Sequence, residues 1–342
     1  MPALTRFTAS PACRRARTFW VASGAALLAA AAQAQTFKDP ALEALYVADK
    51  HQEVQRLSAQ RAAALPDDAQ AVLGLALSAL SLNDPAARKD GIARAEACLA
   101  RQPKAAPCHY ALGVVLGVQA MTEGMMKMAR SAGTVRDALT AAHEIDPAWY
   151  PARSALVEFY AMAPGFMGGS TSKAAELAKG APRPEQAGAL QARVLMLEEK
   201  YEPALRAMLA LPATLEPALA MDVRAWAVQA GLGMISKGQA AQAQPGFERL
   251  QQQHPDRAGP AYGLARARAE QGAHEEAIKL YTQAAGLKGA QDWPIAYRTG
   301  IAQQQLGRND AAKLSLQRFV SAGKGQKASL EDARKRLEQL GG

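Results

Sequence analysis

Small and large apolar residues recur through the C-terminal part of the chain with a period of 34 or 35 residues. Gly238, Gly272 and Gly307 form one column, Ala243, Ala277 and Ala312 a second, Phe247, Tyr281 and Leu316 a third, and Leu250, Ala284 and Phe319 a fourth. In each repeat the alanine and the large residue stand four apart, which places them on one face of a helix. The glycine precedes them, where a chain leaving one helix must turn sharply into the next. Each period therefore predicts two antiparallel helices: the glycine ends the first, the alanine lets the second approach closely, and the large residue fills the contact. Upstream the columns are sparser. Ala204 and Met208 keep the same interval, Leu112-Gly113 sits in a first helix, Leu156 lies four residues before Tyr160, and Pro147 closes a second helix as Pro255 does later. About seven helical pairs are predicted between residues 39 and 321, followed by a polar closing helix over 329–340 of the kind arrays need at their ends.

The period and its residue types, W-x2-L-G-x2-Y followed by A-x3-F and then P, resemble the tetratricopeptide repeat. The resemblance is specific over residues 218–342 and fainter over 35–217. It implies an all-α, right-handed superhelical array whose first helices line a concave groove, with a protein or peptide partner held there. Tyr262 and Tyr297 share a column 35 residues apart, with Arg266 one turn beyond the first and Arg298 beside the second. Together with Arg193 and Tyr110 in the fainter repeats, they are the expected groove residues. Tyrosine supplies apolar area with a polar tip, and arginine a planar fork for carboxylates. No full lysine–asparagine set stands where related arrays clamp a C-terminal carboxylate.

Three segments depart from the pattern. About ten extra residues, including "GMMKMARSAG" at 124–133, lengthen a helix or form a loop. Met121, Met125 and Met128 recur there at helical intervals, which reads first as a buried stripe and alternatively as an exposed partner patch. Pro245-Gly246 falls inside a second helix and predicts a kink or a late start. The third departure, "APGFMGGSTSKA" at 163–174, replaces a short turn with a longer one. Pro164-Gly165 stops a helix, Gly168-Gly169 relaxes the backbone, Ser170 or Thr171 caps the next helix, and Phe166 with Met167 plugs the turn. Exposed amides at Gly168, Gly169 and Ser170, with Lys173 one turn on, would form an anion site.

Charge and composition narrow the function. The chain has 342 residues, is 49% hydrophobic and only 6% aromatic, and carries a formal net charge of +9. Residues 1–34 have the form of an export signal: Arg6, Arg14, Arg15 and Arg17 precede an uncharged run from Phe19 to Ala32, and "AQA" offers small residues for cleavage before Gln35. Without those four arginines 36 basic residues face 31 acidic ones, a net charge of +5 that does not call for nucleic acid. No later stretch is apolar enough for membrane insertion. Secretion, into the periplasm of a Gram-negative cell, is expected. Of three cysteines, Cys98 and Cys108 follow the signal; an oxidising compartment permits a disulfide between them, and two small buried hydrophobes are the equal alternative.

Enzyme chemistry finds little support. A phosphate loop needs its lysine before the hydroxyl residue and after a strand. Ser170-x-x-Lys173 fits the serine–lysine pattern of a hydrolase, but the S-D-N and K-T-G elements such enzymes need are missing. The five histidines form no paired-ligand spacing. The sequence thus predicts no catalytic residue, metal or cofactor. It predicts a protein-binding scaffold, with a binder of small acidic ligands as the alternative and a Ser170/Lys173 hydrolase as a remote one.

Overall fold

The computed structural model describes residues 35–323 and 325–341; the export signal read in residues 1–34 lies outside them. Seventeen α-helices make up the described chain. Sixteen of them form eight antiparallel pairs. The first four are α1 (Pro40–Val47) with α2 (His51–Ala64), α3 (Ala69–Ser81) with α4 (Pro85–Arg101), α5 (Ala106–Glu123) with α6 (Met125–Ile145), and α7 (Tyr150–Met162) with α8 (Thr171–Lys179). The last four are α9 (Pro184–Leu197) with α10 (Tyr201–Leu209), α11 (Pro217–Ser236) with α12 (Ala240–Gln253), α13 (Ala258–Glu270) with α14 (His274–Ala285), and α15 (Ile295–Gln305) with α16 (Asn309–Ala322). The closing helix is α17 (Lys327–Gln339). Eight pairs stand where about seven were expected, and the first of them is short, its α1 having only 8 residues.

The early helices start on aspartates. Asp39, Asp68 and Asp84 each accept two backbone N–H bonds from the first turn of α1, α3 and α4. Each satisfies donors that the helix itself leaves open. At the turn inside every pair one residue takes a positive φ: Asp49 (60°), Asn83 (51°), Gly124 (101°), Gly168 (92°), Glu199 (60°), Gly238 (77°), Gly272 (81°) and Gly307 (71°). The glycine column seen in sequence is therefore a conformational column, filled in three early pairs by residues with a side chain.

Packing follows the predicted faces. Ala243, Ala277 and Ala312 are fully buried, as are Phe247, Tyr281 and Leu316. The second-helix residue presses on a glycine of the first: a Cβ on Gly113 would lie 2.6 Å from Leu139, and one on Gly300 would lie 2.8 Å from Leu316. α12 begins at Ala240 and runs through Pro245, so the late start does not occur. The adjacent Gly246 makes room for Leu205, which a Cβ there would approach to 2.7 Å. One apolar cluster reaches from Val135 to Ala267, so the division near residue 217 marks a change in the clarity of the pattern and not a break in packing.

The superhelix curls back on itself. α1 packs against α11, and the Arg257 guanidinium at the start of α13 bonds the Asp49 carboxylate behind α1. The segment before α1 is held too: the Trp149 indole donates to the Gln35 carbonyl at 3.0 Å, and Lys38 pairs with Asp146 at 2.6 Å.

A left-handed residue with a Cβ is strained, and the strain tests the turn column. Glu199→Gly should raise stability by about 0.5 kcal/mol, whereas Gly238→Ala should lower it by about 1 kcal/mol. Urea denaturation at neutral pH measures both; equal effects of the two changes would contradict a shared conformation.

Candidate binding surfaces

The two tyrosines expected in a groove are core residues. Tyr262 is only 3% exposed, stacked on Trp293 at 4.9 Å and close to Tyr281. Tyr297 is 7% exposed, stacked on Phe319, with its hydroxyl donating to Asp332 of α17 at 2.8 Å. The connector after α14 folds Trp293 over Tyr262, and the closing helix covers Tyr297, so each ring is taken by the next element of the array. Arg266 is turned along its own helix to Glu270 at 3.1 Å, and Arg298 lies over the Tyr297 ring at 5.1 Å. These four do not make an open surface.

The glycine turn is a turn. A 3₁₀ segment (Gly165–Met167) follows α7, and Ser170 caps α8 by accepting the Lys173 N–H at 3.3 Å. The amides of Gly168, Gly169 and Ser170 donate to the carbonyls of Gly165, Pro164 and Tyr160. A Cβ on Gly169 would fall 1.6 Å from the Ala163 carbonyl oxygen. The Lys173 ammonium lies over the Tyr160 ring, 5.4 Å from its centre. The three amides expected to hold an anion are spent inside the turn, and the Lys173 ammonium is turned to a ring, which corrects the anion-site expectation. Met167 is buried as a plug, but Phe166 is 81% exposed and is not.

The methionine-rich insertion lengthens both helices of the third pair. α5 has 18 residues and α6 has 21, against 13 in α7, and Gly124 supplies the reversal between them. α7 stops at Met162, so the overhanging turns of α5 and α6 have no following first helix to cover them. The uncovered face is a groove of about 300 Å³ lined by Val118, Met121, Met128, Ala132, Phe159 and Met162 among others. Met121, Met125, Met126 and Met162 are exposed, Met126 to 72%. The expected buried stripe is thus an open apolar patch. The sequence signal that could have shown it is the insertion's length: extra turns on one pair outrun the neighbours that would bury them.

A second hollow, of about 160 Å³, lies on the inner face where first helices converge. Tyr46 of α1, Tyr110 of α5, Tyr150 and Glu158 of α7, and Asp222 and Trp226 of α11 line it. Tyr110, one of the weaker groove candidates, therefore does face an inner cavity, edge-on to Trp149 at 4.9 Å. Arg193, the other, sits behind the wall: it pairs with Glu158 at 2.6 Å, bonds Gln229 at 3.3 Å and stacks over Trp226. Asp222 was missed, although a lone acid in the apolar run "ALAMDVRAW" is a visible anomaly. Its carboxylate accepts the Tyr150 hydroxyl at 2.8 Å and lies 3.5 Å from that of Ser154. Burial pushes its pKa up to about 7, helped by the Glu158 charge and opposed by the Tyr150 bond and Arg193. Burial also raises the Tyr46 phenol, to about 12, with the Asp222 charge adding to it.

That shift fixes the sign of a pH dependence. Unfolded, the Asp222 carboxyl releases its proton near about pH 4; folded, near 7. Between these values the folded chain holds the extra proton, so stability should fall as pH rises across the window, by about 1 kcal/mol per pH unit from this group. Above pH 7 its contribution should be constant. Guanidinium melts of the protein and of Asp222→Asn from pH 4.5 to 8 isolate it: the variant has no carboxyl to titrate here, so the difference between the two should narrow as pH falls.

Among the described residues no cluster of His, Cys, Asp and Glu is arranged to hold a metal, and no helix is long and apolar enough to cross a membrane. No known family model matches the sequence, and no curated protein does. Solved structures do resemble it. Human IFIT1, solved as a dimer with PPP-AAAA, superposes with a TM-score of 0.50 at 13% identity, over 80% of this chain and 63% of IFIT1. A chain of the APC/C hetero-tetramer Cut9–Hcn1 gives 0.47 at 12% identity over 88% and 54%. A tetratricopeptide repeat protein from Parabacteroides merdae gives 0.44 at 14% over 78% and 98%. This chain thus spans less than two thirds of the length of the first two, and at these identities the likeness is one of fold alone.

Proposed function

Since the chain is a tetratricopeptide-like helical array, a scaffold fold for binding other proteins, we propose that it is an exported adaptor whose partner lays an apolar helical segment into the groove between α5, α6 and α7. The observation that carries this is the overhang of the third pair, which leaves a groove of about 300 Å³ flanked by exposed Met121, Met125, Met126, Met162 and Phe166. Contiguous exposed apolar surface on a water-facing protein marks an interaction site. Methionine suits it, because an unbranched thioether adapts to partners of differing shape. A groove between helices receives the apolar face of another helix, with anchors three or four residues apart. The small-acid alternative has no such support, since the glycine turn keeps its amides for itself.

Export is supported by the basic, apolar and small-residue succession of residues 1–34. It is also supported by the Cys98–Cys108 bond, which joins α4 to α5 across a separation of 10 residues and persists only where thiols are oxidised. The mature chain should begin at Gln35, and intact-mass measurement of protein recovered from the cell envelope should show residues 1–34 absent; a retained leader would remove the export half of the proposal.

A photoreactive residue in place of Met125 should crosslink to an apolar segment of a partner in envelope extracts, identified by mass spectrometry of the joined peptide. The double change Met121→Asp with Met128→Asp should abolish the crosslink while circular dichroism and melting temperature stay near those of the parent. Crosslinks that survive that change, or that map to polar disordered segments, would move the partner site elsewhere on the array.

A further inference from the structure

The inner cavity presents a set of groups that the scaffold reading does not use. Four aromatic rings, Tyr46, Tyr110, Tyr150 and Trp226, and two carboxylates, Asp222 and Glu158, surround a space of about 160 Å³. We propose that this cavity is a binding site for a small organic cation, an alkylammonium group held over aromatic rings and neutralised by Asp222. This inference stands independently of the adaptor reading, because it concerns a different face and a different ligand.

With both acids ionised, the cavity wall carries two negative charges and one guanidinium. Arg193 is already committed: Nη2 and Nε lie 2.6 and 2.7 Å from the same Glu158 oxygen, Nη1 reaches Gln229 and the Met196 sulfur, and the group stacks on Trp226 at 5.1 Å. Glu158 is thereby neutralised and Asp222 is not. Asp222 receives only hydroxyl donors, from Tyr150 and, more distantly, Ser154. A buried carboxylate without a cation is held ionised at a large desolvation cost, and either a proton or a bound cation relieves it. An anionic ligand would meet a charge of its own sign at this wall.

Ring chemistry agrees with the charge. The negative face of an aromatic ring attracts an ammonium group, and several rings about one space are a recognised way to hold alkylated ammonium. Tyr110, partly buried and edge-on to Trp149, lines the cavity with a ring and a phenol oxygen. An ammonium N–H can donate to that oxygen. The volume, about five waters at about 30 Å³ each, suits a tetramethylammonium ion or the end of an alkylamine and excludes a whole peptide segment.

The groups facing Asp222 come from every neighbouring element: Tyr46 on α1, Tyr110 on α5, Tyr150 and Glu158 on α7, and Arg193 on α9. Of these, Asp222 itself is raised to about 7 and the phenols are shifted upward, away from neutrality. A cation must displace the Asp222 proton below that value, so affinity should fall by up to about tenfold for each pH unit below 7 and level off above it.

The test uses the full mature chain and three probes at constant ionic strength: n-butylammonium chloride, tetramethylammonium chloride and sodium butyrate. Binding is read by tryptophan fluorescence, to which Trp226 in the cavity wall contributes, and by thermal shift. A fourth probe, N-acetyl-lysine amide, separates a free amine from a lysine side chain as the source of the cation. The ammonium probes should bind saturably at pH 8, at least tenfold more weakly to Asp222→Asn and several-fold more weakly to Tyr110→Leu, which removes an aromatic face and leaves the acid. Butyrate should not bind. Preferential binding of the lysine probe would assign the cation to a protein segment, and preference for the simple amines would assign a free ligand. Absence of saturable binding by every ammonium probe to the folded protein, binding of butyrate, or unchanged affinity in both variants would overturn the proposal. Should Asp222→Asn lose its helical circular dichroism, Tyr110→Leu and the pH profile of the parent still decide it.

Discussion

The ring of Phe247 sits where Cβ atoms on Gly231 and Gly263 would lie 2.5 Å and 2.0 Å from it. One second-helix side chain thus fills a space vacated by glycines on the first helix of its own pair and of the next. This fit sets how closely α11, α12 and α13 approach, and the same relation recurs where Leu139 meets Gly113 and Leu316 meets Gly300. Protein interiors are packed at crystal-like density, so the distance between helices is fixed by such pairings rather than by the backbone. Everything built on the array, including the cavity between first helices and the groove beyond α7, inherits its dimensions from them.

The inner face shows what that geometry permits. Because the first helices crowd together, large side chains there have little room to stand free. Tyr262 and Tyr297 are absorbed into contacts with Trp293 and Phe319, and only where α1 swings across to α11 does the crowding relax into a hollow. The outer overhang arises from the reverse condition. α5 and α6 are longer than α7, and a helix that outruns its neighbour exposes whatever apolar face it carries.

The legibility of the chain followed the same physics. Where the turn residue is glycine, at 238, 272 and 307, the period was plain, because glycine takes a left-handed backbone without strain. Where Asp49, Asn83 and Glu199 hold that conformation, the column vanished from the sequence although the turn did not change. Core alanines and their large partners were correctly placed by spacing alone. Groove tyrosines were not, because spacing says which side of a helix a residue occupies and not whether a later element covers it; Trp293 lies thirty-one positions beyond Tyr262. Ser170 as a cap was readable from local chemistry. Asp222 required knowing that α1 and α7 close over it.

The bond between Asp49 and Arg257 bears on how this array can change over time. An open solenoid gains or loses repeats freely, since each unit touches only its neighbours. Here the first pair is fastened to the start of the seventh, and the Gln35 carbonyl to Trp149 at the start of the fourth. Inserting or deleting a pair before the fourth would carry both attachments out of reach, and one between the fourth and the seventh would break the Asp49–Arg257 bond. The curl therefore works as a counter: it fixes the number of repeats, and a lineage carrying it should vary in loop and helix length, as the third pair does, while the tally of pairs between its anchors stays constant.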